Sequence, residues 1–119
     1  MKTQKEYMNS IKVLFNEHVT ANKSKLDAYS YCNSDAIYCF KDFISNVRTL
    51  GLEFSDVYHA NGIGNNNEYK IYLKEIDKDG FFIQKNIAEF YYCTGIYGGC
   101  YASLKDFATG EKIAVGKVS

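Results

Sequence analysis

Residues 35–50 read DAIYCFKDFISNVRTL, and the way they fold decides what kind of domain this is. Ala36, Ile37, Phe40, Phe43, Ile44, Val47 and Leu50 recur at helical spacing. Gly51 follows, where a helix C-terminus accepts glycine. That spacing predicts one helix over 35–50. A second reading splits the stretch into a short strand over 36–40 (AIYCF) and a helix over 41–50. Both stay open at the level of sequence.

Upstream the pattern is helical. Thr3-x-x-Glu6 is a capping-box signature, in which each side chain satisfies the other residue's backbone N–H. Tyr7, Met8, Ile11, Leu14, Phe15 and Val19 then fall on one stripe, which predicts a helix over Gln4–Ala21. Ser24-x-x-Asp27 suggests a short second helix carrying Leu26 and Tyr29.

Downstream of Gly51 the period changes to two. Phe54, Tyr58 and Ala60 share one face of a strand over 53–60. Residues 61–67 (NGIGNNN) signal a turn. In 68–76, Tyr69, Ile71 and Leu73 face one way and Lys70, Tyr72 and Lys74 the other. Residues 77–80 (DKDG) form a hairpin turn. A long strand over 81–94, bulged or broken near Asn86, leads to a turn over 95–99, and strands are expected over 100–107 and 112–118. The chain has no proline to interrupt these elements. The fold class is therefore α+β, with N-terminal helices packed into an antiparallel sheet of four to six strands.

Residues 1–119 suffice for one domain with a real core. Hydrophobic residues make up 46% and charged residues 24%, which excludes global disorder. Fourteen basic residues balance 14 acidic ones, so there is no basic footprint for nucleic acid or for a membrane surface. The start, MKTQKEYMNS, lacks the apolar run of a signal peptide. No stretch approaches the roughly 20 apolar residues of a spanning helix. A cytoplasmic location is expected, with Cys32, Cys39, Cys93 and Cys100 as reduced thiols.

The order of helices followed by a meander resembles the NTF2-like superfamily, which includes the SnoaL-like and ketosteroid-isomerase-like cone folds. Val13-Leu14-Phe15-Asn16-Glu17-His18 looks like the family's first helix. Ser34-Asp35-Ala36-Ile37 looks like its lead-in to the first strand. Residues 40–51 look like the helix that crosses the sheet. Glu89-Phe90-Tyr91-Tyr92 through Ser103-Leu104-Lys105-Asp106-Phe107 looks like the last long hairpin. Its turn reads Gly95-Ile96-Tyr97-Gly98-Gly99 in place of the frequent Gly-Lys-Ile. The resemblance implies a strongly curved sheet that closes into a cone, a pocket at its open end, and dimers through the outer sheet face. It further implies a hydrophobic small-molecule ligand, which some members isomerise, cyclise or dehydrate.

Eleven tyrosines and eight phenylalanines, with no tryptophan, are the most unusual feature of the composition. Tyr91 and Tyr92 are adjacent in a strand and must face opposite sides, so both faces need cover. One reading is a pocket lined by Tyr38, Tyr58, Tyr72, Phe90, Tyr92 and Tyr101. The other is core plus dimer interface. For catalysis, His59 is a candidate general base, with Asp35, Asp106 or Tyr72 as partner. Asp35 is the second candidate, as a carboxylate at the rim of an apolar pocket. Its structural reading is a helix cap beside Asn33 and Ser34. Asp106 reads as a turn residue, and His18 as a residue at the edge of the apolar stripe.

The cysteine spacing does not fit a zinc site. A turn at 95–98 would put Cys93 opposite Cys100, as two reduced thiols side by side. Asp77-x-Asp79-Gly80 lacks the acidic twelfth position and flanking helices of a calcium loop. Gly62-Ile63-Gly64 lacks the strand–turn–helix setting of a phosphate loop. No cofactor or metal is expected. The first expectation is thus a small-molecule-binding or interaction domain that forms a homodimer. A SnoaL-like or ketosteroid-isomerase-like enzyme using His59 or Asp35 is the alternative. An inhibitor or immunity-type protein acting by surface binding is a further one.

Overall fold

The first helix, α1 (Gln4–Ala21), begins where its cap demands. In the computed structural model, which describes residues 2–23, 40–57, 66–94 and 99–118, the Thr3 hydroxyl accepts from the Glu6 N–H at 3.1 Å. The Glu6 carboxylate accepts from the Thr3 N–H at 3.2 Å. The stripe then buries Met8, Ile11, Phe15 and His18. The helix ends at Asn22, whose side-chain amide donates to the His18 carbonyl at 2.8 Å.

Helix α2 spans Lys41–Arg48 and buries Phe43, Ile44 and Val47. Phe40 precedes it with φ −116° and ψ 24°, outside the helical region. One continuous helix over 35–50 is therefore overturned at Phe40, whose fully buried ring is pulled toward the sheet. The helical half of the split reading stands, shortened at its end. Thr49, Leu50 and Gly51 donate to the carbonyls of Ser45, Val47 and Arg48. That tightening turns the chain into the sheet, and Gly51 takes φ +88°, which a β-carbon would strain. Residues 36–39 of the strand expected over 36–40, and the short helix from Ser24, lie outside the described residues.

Among the described residues five strands follow: β1 (Glu53–Val57), β2 (Asn66–Ile76), β3 (Phe82–Thr94), β4 (Gly99–Asp106) and β5 (Lys112–Val118). They form one antiparallel meander in chain order. Asn66 and Asn67, read from the sequence as turn, belong to β2, because the backbones of Cys93 and Tyr92 supply partners for them. The break foreseen near Asn86 falls beside it. Ile71 pairs with Ala88 and Tyr72 with Asn86, which leaves Ile87 as the extra residue of a bulge.

Register sorts the side chains. One face carries Tyr69, Ile71, Phe90, Tyr92, Ala102 and Leu104, all buried with α1 and α2. Phe40 sits at the junction. Its ring centroid lies 5.1 Å from Phe90, 5.4 Å from Tyr92 and 6.3 Å from both Phe15 and Phe43. His18 stacks on it at 4.6 Å, so His18 is a core residue rather than an edge residue.

Truncating the ring at this junction removes contacts to both helices and to β3 together. Phe40→Ala is expected to cost about 3–5 kcal/mol, while Val13→Ala, on the exposed side of α1, changes stability by less than about 0.5 kcal/mol. Urea unfolding of both variants checks this.

Candidate functional site

The alternation that drives Phe90 and Tyr92 into the core sends Glu89, Tyr91 and Cys93 to the opposite, outer face. Three rungs cross that face. The first runs Lys70, Glu89, Lys105, Lys112, the second Glu68, Tyr91, Ser103, Ala114, and the third Cys93, Tyr101, Gly116. They enclose a groove of about 270 Å³ lined by Glu68, Glu89, Tyr91, Tyr101, Ser103, Lys105 and Lys112.

The groove is electrically divided. Its carboxylates stand on β2 and β3, and its ammonium groups on β4 and β5. Lys105 and Lys112 are direct cross-strand partners, a like-charge pairing that isolated strands disfavour. Lys70, the β2 partner of Glu89, lies over the Phe107 ring at 5.9 Å and does not line the groove. Between the halves, the Tyr91 and Tyr101 rings meet edge to face at 6.0 Å. Lys112 lies 5.8 Å from the Tyr101 ring centroid. Ser103 and Cys93 are buried beneath them. Burial, then the hydrogen bond and charge of Cys93, push the Tyr91 hydroxyl up to about 12, so the phenol stays neutral at physiological pH.

The residues singled out from the sequence fall in three places. Asp35, Tyr38, Tyr58 and His59 lie outside the described residues, as do Cys32 and Cys39. Phe90 and Tyr92 face the helices and are fully buried. Tyr72 and Tyr101 are on the outer face. The Tyr72 hydroxyl donates to the Glu53 carboxylate at 3.3 Å; partial burial and that carboxylate raise its pKa above the ordinary value. The structure thus divides the four described members of the set between two faces. Tyr91, Glu68, Glu89, Ser103, Lys105 and Lys112 were not in that set. The Tyr91–Tyr92 alternation pointed to two faces, but only strand register shows which charges gather beside Tyr91.

Cys93 pairs with Tyr101, and Cys100 with Thr94. The two cysteines are therefore not cross-strand partners, because the register is offset by one residue from the one a 93–100 pairing needs. Asp106 is occupied structurally. Its carboxylate accepts from the N–H groups of Ala108 at 2.9 Å and Thr109 at 3.4 Å, and from the Gln4 amide at 3.3 Å. Burial works to raise its pKa, but the hydrogen bonds from Ala108, Gln4 and Thr109 outweigh it and hold the carboxyl below its usual range.

Among the described residues, no group of three or more metal-ligating side chains comes together, and no helix is long and apolar enough to cross a membrane. A larger groove of about 480 Å³ lies between α1 and α2, over Val13, Leu14 and Leu50, but it has no comparable division of charge. Comparison with protein-family models, with curated proteins and with solved structures finds no match to this chain.

Asp106 gives a pH test of the turn that ends β4. Its folded-state pKa is depressed, so its stabilisation is present above the unfolded value of about 4 and is lost as pH falls through the lower folded value. Asp106→Ala is expected to cost about 1–3 kcal/mol at pH 7. That deficit should narrow below about pH 4, when chemical unfolding of both proteins is followed from pH 7 to 2.5.

Proposed function

We propose that this chain is an interaction domain of the NTF2-like type that pairs with a second copy of itself through the outer sheet face. The curved, cone-like sheet of that family is part of the same reading. The observation that carries it is the divided groove: carboxylates on β2 and β3, lysines on β4 and β5, tyrosines between.

Such a face is complementary to itself. A twofold axis parallel to the strands, between β3 and β4, places the β2–β3 side of one copy over the β4–β5 side of the other. Glu68 and Glu89 then meet Lys105 and Lys112 of the second copy, twice per dimer, as an isologous interface requires. Tyr91 and Tyr101 lie nearest the axis, where rigid aromatic anchors contribute most. Ala114 and Gly116, on β5, leave room for the opposing side chains. Charges arranged this way set orientation and exclude wrong partners more than they add affinity. A nucleic-acid phosphate backbone would meet Glu68 and Glu89 on the same face as the lysines. On the other face, Phe90 and Tyr92 pack against Phe40, which supports a filled interior among the described residues.

Charge reversal tests the pairing. Lys105→Glu/Lys112→Glu leaves the groove wholly acidic, and Glu68→Lys/Glu89→Lys leaves it wholly basic. Wild type is expected to sediment as a dimer that weakens with salt. Each reversed protein alone should be monomeric, and an equimolar mixture of the two should recover the dimer. A monomeric wild type at high micromolar concentration, or reversed proteins that dimerise as wild type does, would overturn the reading.

A further inference from the structure

Ser103 forms the floor of the outer-face groove. It is only 5% exposed, and register sets its neighbours: Tyr91 on β3, Ala114 on β5, and Tyr101 and Lys105 two residues away along β4. Its hydroxyl has no hydrogen-bond partner among the described residues. The oxygen is not sealed in, because the residue lines the groove and opens into it. Polar groups this deeply buried are ordinarily paired, and leaving one unpaired costs free energy. A partner for this hydroxyl has to come from the groove side.

The charges around the floor are also unspent. Glu89, Lys105 and Lys112 form no ion pair among the described residues, although Glu89 and Lys105 are cross-strand partners. Ala114 is small, and Lys112 reaches past it to within 5.8 Å of the Tyr101 ring centroid. Two ammonium groups thus flank the Ser103 hydroxyl on the β4–β5 side. Glu68 and Glu89 stand on the β2–β3 side. The two strand pairs are centred about 10 Å apart. Between them the Tyr91 and Tyr101 rings, edge to face, supply apolar surface.

We propose that this groove binds a small zwitterion whose ammonium and carboxylate are separated by an apolar chain. The carboxylate sits between Lys105 and Lys112 and accepts from the Ser103 hydroxyl, which gives the buried oxygen its partner. The ammonium lies between Glu68 and Glu89, and the chain crosses the tyrosine rings. Hydrogen bonds to charged groups of this kind are among the strong ones. A lone anion would meet the two carboxylates, and a lone cation the two lysines, so the divided charge selects a ligand with both ends. A volume of about 270 Å³ suits a molecule of this size. The site goes beyond the self-pairing reading and needs no second copy. A free zwitterion competes with a second copy for the same four charges.

The probe is ε-aminocaproate, titrated by calorimetry, with backbone amide shifts in NMR spectra locating it. Saturable binding at millimolar ligand is expected, with shifts at Tyr91 and Ser103. Caproate and hexylamine, which carry one charge each, should bind about tenfold or more weakly, as should glycine, whose two ends are too close together. Ser103→Ala should weaken binding about tenfold, and Lys105→Gln/Lys112→Gln should abolish it, both without changing the fold seen by circular dichroism. Caproate that binds as tightly as the zwitterion, or no saturation at millimolar ligand, overturns the site. Where the protein is a dimer, the ligand should also shift its sedimentation toward monomer. A monomeric protein that binds ε-aminocaproate leaves the site standing and overturns self-pairing. A salt-sensitive dimer that binds no ligand overturns the site and leaves self-pairing standing.

Discussion

The placement of Phe40 between the two helices and the sheet is the constraint on which the rest of the structure depends. Its ring touches Phe15 and His18 of α1, Phe43 of α2, and Phe90 and Tyr92 of β3. No other described side chain joins all three elements through so many aromatic contacts. Anchoring that ring forces the backbone at Phe40 out of helical geometry, so α2 starts at Lys41. It also fixes which face of β3 is inward. Once Phe90 and Tyr92 point at Phe40, Tyr91 must point away.

Much of this was legible in the sequence, for reasons that differ from element to element. Helix α1 was readable end to end because its signals are local: a reciprocal cap at Thr3 and Glu6, then an apolar stripe of the right period. The DKDG hairpin was readable for the same reason. Residues 35–50 were not, because a helical stripe and a chain that leaves the helix at one buried aromatic give the same apolar spacing. Only the tertiary demand for Phe40 in the core separates them. Asn66 and Asn67 misled similarly. Asparagine favours turns when its backbone groups are free, but here β3 is long enough to pair with them.

The candidate site was less legible than the fold. The double tyrosine announced aromatic side chains on both faces of the sheet, and that followed from period two alone. The tyrosines named as a pocket, however, were chosen by type, and type does not assign a face. Phe90 and Tyr92 went to the core, Tyr101 to the outer groove. The charges that give the groove its character are separated by up to 44 positions in the chain, from Glu68 to Lys112. Their gathering is a product of register, which a one-residue slip would reverse. The offset that uncouples Cys93 from Cys100 shows how fine that dependence is.

The two faces also divide the energetic labour of the domain. The inner face is aromatic and aliphatic, and its burial against α1 and α2 is what stabilises the monomer. The outer face carries half-buried Glu68 and Glu89 and exposed Lys105 and Lys112, where charge pairs contribute little to the stability of a single chain. Like-charged Lys105 and Lys112 standing opposite each other even oppose it. Glu89, the cross-strand partner of both Lys70 and Lys105, offsets part of that repulsion, so the outer face adds little to the fold in either direction and its character comes from register alone.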